Sequence, residues 1–102
     1  MKVLDRKPMK WQLDSRWNFI EAENNEYYFY VWCESSFGYT VLIKLTDEEY
    51  REYKGLGWTY LQYLSQRINY FVDEYKPRRI LGELNEKAEL AIKEFNEARL
   101  NS

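Results

Sequence analysis

The sequence contains no histidine and a single cysteine, Cys33. Without histidine, Ser-His-Asp triads, Cys-His pairs and His-ligated metal sites are excluded, because each of them needs an imidazole. One cysteine also excludes an internal disulfide and a thiolate cage for a metal. Most familiar catalytic and metal-binding chemistry is therefore absent, and we predict a protein that is not an enzyme and takes no cofactor.

Long apolar runs and flexible linkers are absent as well. No apolar run approaches the ~20 residues that a membrane span requires, and the two prolines and four glycines form no linker. The first ten residues mix Val3 and Leu4 with charged side chains, unlike a signal peptide. A chain of 102 residues suits one compact domain, residues 1–102. We expect a cytoplasmic protein of one domain, without a second, independent core.

Basic residues are not in excess. Lys and Arg number 15 against 17 Asp and Glu, which gives a net charge of -2. A groove that follows phosphates needs a positive field, so nucleic-acid binding is disfavoured. Two short basic clusters leave RNA or an acidic protein open as an alternative partner. They comprise Lys2, Arg6, Lys7 and Lys10, and Lys76, Arg78 and Arg79.

The first half of the chain is typical of β-structure. Residues 17–22 and 39–45 are rich in aromatic or β-branched side chains, and residues 27–34 give the strongest strand pattern. A turn that ends at Gly38 separates residues 27–34 from residues 39–45, which predicts a hairpin of these two strands. An earlier strand at residues 10–13 is a weaker expectation.

Helices are predicted in the second half. Thr46 and Glu49 form a capping box that begins the first helix, and Gly55 and Gly57 end it. A second helix runs to about Tyr75 before Pro77. Its stripe, spaced by three and four residues, is expected to face the sheet. The stripe contains Leu61, Leu64, Ile68 and Phe71.

The last helix has an apolar seam with the same spacing. Because the seam is short and rich in alanine, packing on the protein's own body is favoured over a dimeric coiled coil through this helix. The seam contains Leu84, Ala88, Ala91, Phe95 and Ala98. The pattern as a whole predicts an α+β fold, an antiparallel sheet of three or four strands followed by two or three helices packed on it.

The middle of the chain is strongly acidic. Residues 21–53 hold eight acidic and two basic side chains, a net charge of -6. Such a block steers a basic protein partner towards it. The candidate steering residues are Glu21, Glu23, Glu26, Asp47, Glu48, Glu49 and Glu52.

Aromatic residues are the second unusual feature, with ten Tyr, four Trp and five Phe. Tyr28, Tyr30 and Trp32 alternate with the expected core side of the central strand. Either helices cover these three side chains, or they form an exposed platform. We predict the platform, with Tyr28, Tyr30 and Trp32 as the residues that anchor a protein partner.

A resemblance follows from the hairpin return that runs into a capped helix. Residues 37–50, FGYTVLIKLTDEEY, together with the size and the acidic pI, resemble the small bacterial immunity proteins of contact-dependent growth inhibition and polymorphic toxin systems. The resemblance implies a cytoplasmic protein that binds one toxin domain, often a basic nuclease, and blocks its active site without chemistry of its own. The alternatives are a self-associating accessory or phage-encoded regulatory protein, a small nucleic-acid-binding module and a small enzyme.

Overall fold

The computed structural model describes residues 1–4, 17–33 and 39–100, and these segments have an α+β fold. Its four strands form one antiparallel sheet in chain order. They are β1 (Lys2–Val3), β2 (Trp17–Ala22), β3 (Glu26–Cys33) and β4 (Tyr39–Lys44). The predicted antiparallel sheet is confirmed, whereas the expected strand at 10–13 and the turn at 35–38 lie outside the described residues.

Four helices follow the sheet, rather than two or three. They are α1 (Asp47–Leu56), α2 (Trp58–Tyr70), α3 (Val72–Tyr75) and α4 (Glu83–Leu100). The expected second helix is divided because Phe71, with φ -123° and ψ 45°, leaves the helical conformation. Phe71 is half exposed, so its predicted place against the sheet is wrong. Of the helices in the described segments, none has the length and apolar content to cross a lipid bilayer.

Helices cover both faces of the sheet. Helices α1, α2 and α3 lie against one face and α4 lies against the other. Side chains of β3 alternate between two cores: Phe29 and Val31 point towards α1–α3, whereas Tyr28 and Tyr30 point towards α4. This burial on two sides explains why the sequence of β3 has no polar face.

The boundaries of α1 follow from its capping residues. The Oγ1 atom of Thr46 accepts a hydrogen bond from the Glu49 N–H at 3.1 Å, and the Glu49 carboxylate accepts one from the Thr46 N–H at 2.9 Å. The predicted capping box is therefore confirmed. Gly57 ends α1 with φ +66° and ψ -143°, a conformation that other residues rarely adopt, and α2 begins at the next residue.

The apolar stripes of α2 and α4 pack against the protein's own sheet. Leu61, Leu64 and Ile68 are buried on the sheet, as their spacing predicts. On the opposite face, Ala88 is fully buried. Leu84, Ala91, Ile92 and Phe95 pack around the same core. Four of the five predicted seam residues therefore pack on the protein's own sheet, as expected, whereas Ala98 is exposed.

The outer edge of β4 is covered by the segment that joins α3 to α4. Three carbonyls on alternate residues of β4 each accept one hydrogen bond from this segment. The pairs are Thr40 with Arg79 Nε (2.8 Å), Leu42 with Ile80 N (2.8 Å) and Lys44 with Arg78 Nη2 (3.0 Å). Because these acceptors are occupied, the edge is a poor template for pairing with a strand of another protein.

Candidate functional site

Two acidic segments of the chain meet at one end of the sheet. The β2–β3 turn lies beside the start of α1 because the Leu45 N–H donates a hydrogen bond to the Tyr27 carbonyl at 2.9 Å. An open cavity of about 280 Å³ lies between the two segments. It is lined by Asn25, Glu26, Tyr27, Lys44, Leu45, Thr46, Asp47 and Tyr50. The fold thus brings Glu26 and Asp47, which are distant in sequence, to one cavity.

Glu26 forms a small polar network beside the cavity. The Tyr28 hydroxyl donates a hydrogen bond to Glu26 Oε2 at 2.9 Å, and Lys44 Nζ lies 3.3 Å from Oε1. The hydrogen bond from Tyr28, followed by that from Lys44, lowers the pKa of Glu26. The carboxylate is therefore ionised at neutral pH, and it already binds an ammonium group from the protein itself.

Two stacked tyrosines form the aromatic wall of the cavity. The ring centroids of Tyr27 and Tyr50 are 4.5 Å apart, and their hydroxyl oxygens are 3.5 Å apart. Tyr27 Oη also lies 3.4 Å from a carboxylate oxygen of Glu21. The hydrogen bond with Tyr50, together with burial, raises the pKa of Tyr27 to about 12, so this phenol is neutral at neutral pH. Aromatic faces beside carboxylates are the surroundings that favour an ammonium or guanidinium group.

Glu49 does not belong to this surface. Its carboxylate accepts hydrogen bonds from both terminal nitrogens of Arg78, at 3.0 and 2.6 Å, in addition to the bond in the capping box. Burial by itself raises the pKa of Glu49, but the hydrogen bonds from Arg78 and Thr46 outweigh it, and the pKa lies below its ordinary value. We therefore correct the set of steering residues by removing Glu49, because Arg78 neutralises its charge.

The other predicted acids remain accessible. Glu23, Asp47, Glu48 and Glu52 are exposed, and Glu21 is partly exposed. Asp47 and Glu48 stand in the first turn of α1, where the positive end of the helix dipole stabilises carboxylates. With Glu26, the set has six carboxylates around the β2–β3 turn and along α1. Lys44, Arg51 and Lys54, the basic residues of the same segments, offset part of this charge. We call these six carboxylates the acidic face.

The predicted aromatic platform is corrected at two of its three positions. Tyr28 and Tyr30 expose only 5% and 9% of their surface because α4 covers them. The Tyr30 hydroxyl donates a hydrogen bond to Glu89 on α4 at 3.0 Å. Trp32 is 48% exposed, but it lies six residues along β3 from Glu26, a distance of ~20 Å in a strand. The three residues therefore do not form an anchor beside the acidic face.

Sequence reasoning missed the tyrosine wall and the resident lysine. The sequence patterns indicate that Tyr27 faces the core and that Tyr50 packs on Leu45 at the start of α1. Nothing in the spacing of Tyr27 and Tyr50, which are 23 residues apart, signals that their hydroxyls meet. The position of Lys44 at the end of a strand likewise gives no local signal for its contact with Glu26.

The basic clusters are less available than the sequence indicates. Arg78 binds Glu49 and the Lys44 carbonyl, and Arg79 stacks on Tyr39 with its guanidinium 4.1 Å from the ring centroid. Lys76 pairs with Asp73 at 2.8 Å. Of the N-terminal cluster, Lys2 is exposed, and Arg6, Lys7 and Lys10 lie outside the described residues.

Cys33 and the acidic side chains are the candidates for nucleophilic or metal-binding chemistry. Cys33 is buried in the core, and burial raises the pKa of its thiol. In the described part of the chain, no group of three or more Cys, Asp or Glu side chains is placed to hold a metal ion.

Comparison of the chain with family models, curated proteins and solved structures finds no match. The acidic face and its cavity are therefore the features that indicate a function.

Proposed function

We propose that this protein is a non-enzymatic inhibitor that binds a basic protein partner through the acidic face. The observation that carries the proposal is the convergence of the β2–β3 turn and the start of α1 on one cavity with carboxylates and an aromatic wall. The more specific role, protection of a cell against a basic toxin domain, rests on the resemblance of residues 37–50 to immunity proteins.

In this proposal, the acidic face acts first at long range. Its negative potential raises the rate at which a basic partner arrives, and salt screens this effect. On contact, an arginine or lysine side chain of the partner enters the cavity. Its apolar stem lies against Tyr27 and Tyr50, and its charged end reaches Glu26 and Asp47. Inhibition follows from covering the active site of the partner, so this chain needs no catalytic group.

The test begins with capture of the partner by the tagged protein from its source cells at low salt, followed by purification of the captured protein. Association rates are then measured for the wild type and for a triple variant, Asp47→Lys, Glu48→Lys and Glu52→Lys. We expect the triple variant to associate at least about tenfold more slowly at low salt, and its rate to depend less on salt.

A matched control reverses three exposed acids on α4, at Glu83, Glu86 and Glu94. It changes the net charge by the same amount at a distance from the cavity, so it separates a local effect from overall charge. Circular dichroism verifies that both triple variants are folded. Equal association rates for the two triple variants, or a captured partner that is acidic, would contradict the proposal.

Inhibition is measured separately from binding. The captured partner is produced in cells with and without this protein, and growth is recorded. The immunity role predicts that the partner alone stops growth and that coexpression of the wild type restores it. A partner that binds at the acidic face but is harmless to cells would keep the binding proposal and exclude the immunity role.

A further inference from the structure

A second surface lies on α2 and α3, on the side away from the sheet. Tyr63, Tyr70 and Phe71 expose 52%, 82% and 49% of their surface. Tyr63, Arg67 and Tyr70 follow one another at spacings of four and three, so they share one side of α2. This side differs from that of the buried stripe, which faces the core. We call Tyr63, Arg67, Tyr70, Phe71 and Glu74 the aromatic face.

The charges of the aromatic face are paired with each other. Arg67 Nη2 lies 3.0 Å from Glu74 Oε2, and the Arg67 guanidinium lies 5.1 Å from the centroid of the Phe71 ring. Next to this pair, Lys76 Nζ lies 2.8 Å from Asp73 Oδ1. The aromatic face is therefore neutral overall, in contrast to the acidic face on the β2–β3 turn and α1.

A neutral face with one exposed ion pair is complementary to a copy of itself. A twofold axis beside the Arg67–Glu74 pair would run two α2 helices antiparallel and would place each Arg67 next to the Glu74 of the other copy. The two pairs would then form an alternating network of four charges. A strongly basic partner would be repelled by Arg67, and a strongly acidic partner would be repelled by Glu74. The charges of this face therefore favour a second copy of this chain over a strongly charged partner.

The area of the rings is consistent with such a contact. Aromatic side chains bury ~150–250 Å² each when fully covered, and the exposed fractions of the three rings correspond to about 400 Å² on each copy. The rings of two copies thus supply roughly two-thirds of the ~1,200 Å² at which stable interfaces begin. The stems of Arg67 and Glu74 and the flanking polar residues extend this area.

We propose that this protein forms a symmetric dimer through the aromatic face of α2 and α3. The acidic face and its cavity are formed by other residues, so the proposal does not depend on the acidic face binding a partner. It also differs from a coiled coil through α4, since Leu84, Ala88, Ala91 and Phe95 pack on the sheet.

Sedimentation equilibrium of the full chain tests the dimer. We expect the wild type to dimerise in the micromolar range, and Tyr70→Ser to weaken dimerisation by about thirtyfold, as loss of a central interface tyrosine does. Because Tyr70 is so exposed, this change leaves the folded monomer intact. Lys87→Glu, on the exposed side of α4, is the matched control and should leave the dimer unchanged.

A charge exchange then identifies the contact itself. Arg67→Glu and Glu74→Arg each place like charges together in a homodimer, so each variant should be monomeric. Mixing the two variants restores both pairs across the interface, and we expect a one-to-one mixed dimer. A monomeric wild type, a dimer that Tyr70→Ser does not weaken, or a mixture that stays monomeric would each overturn the proposal.

Discussion

The ion pair between Arg78 and Glu49 links α1 to the segment that covers the edge of β4. Arg78 binds both carboxylate oxygens of Glu49 and also donates a hydrogen bond to the Lys44 carbonyl. Replacing Arg78 with methionine keeps an apolar stem of similar length but removes all three hydrogen bonds. We expect Arg78→Met to destabilise the protein by more than a surface substitution does.

The magnitude follows from the burial of the two side chains. Arg78 is 31% exposed and Glu49 is 13% exposed. Exposed ion pairs contribute ~0.2–1 kcal/mol, whereas removing one partner of a fully buried pair costs ~3–5 kcal/mol. Since this pair lies between the two cases, we expect Arg78→Met to lower the free energy of unfolding by about 2 kcal/mol. The melting temperature should fall by roughly 8–16 °C in a domain of this size.

Urea denaturation of a double-mutant cycle measures the pair. The cycle compares the wild type with Arg78→Met, Glu49→Gln and the double variant at pH 7. Glutamine still accepts the capping hydrogen bond from the Thr46 N–H, so Glu49→Gln removes the charge and spares the cap. We expect an interaction energy of about 1–2 kcal/mol between the two positions. Lys87→Met, which removes an exposed pair with Glu83, serves as the control.

The pH dependence gives a second measurement of the same pair. Because the folded state holds the pKa of Glu49 below its ordinary value of 4.5, the unfolded state takes up a proton first as the pH falls. The stabilisation is therefore complete above this ordinary value and is lost as the pH falls through the lower, folded-state pKa. The difference between the wild type and Arg78→Met should shrink over this range. An interaction energy near zero, or a difference that does not change with pH, would refute the reasoning.

Smaller changes test the capping box of α1, the packing of α4 on the sheet, the exposed side of α4 and the burial of Cys33. In urea, Thr46→Ala should lower the free energy of unfolding by about 1 kcal/mol, whereas Thr46→Ser, which keeps the capping hydroxyl, should leave it nearly unchanged. Equal stabilities of these two variants would show that the cap contributes nothing. Ala88→Leu should lower the free energy of unfolding in urea by about 1–3 kcal/mol, because Ala88 is fully buried between α4 and the sheet and a larger side chain would overpack this core. Leu90→Ala, on the exposed side of α4, should change the free energy of unfolding in urea by less than about 0.5 kcal/mol. Cys33 should react with a thiol reagent only as fast as the protein opens, and rapid labelling of the folded protein would contradict its burial.

The candidate site was only partly predictable from the sequence. The acidic composition of residues 21–53 indicates a negative surface, and Glu26 and Asp47 do lie at one cavity. The sequence predicts Glu49 on the same surface because its partner, Arg78, is 29 residues away and gives no local signal. The burial of Tyr28 and Tyr30 depended on which face of the sheet α4 covers, and both alternatives were compatible with the alternation of β3.

The sequence by itself determined the features that depend on neighbouring residues. Strand alternation, the capping box at Thr46 and the apolar stripes of the helices are set by spacings of a few residues, and the described structure contains each of them. The tertiary structure decided which of these surfaces are paired with distant parts of the chain. It placed α4 on the second face of the sheet, turned Arg78 and Arg79 towards the edge of β4, and left the acidic face and the aromatic face exposed. Such contacts join residues tens of positions apart, and their energy depends on a geometry that no local pattern contains.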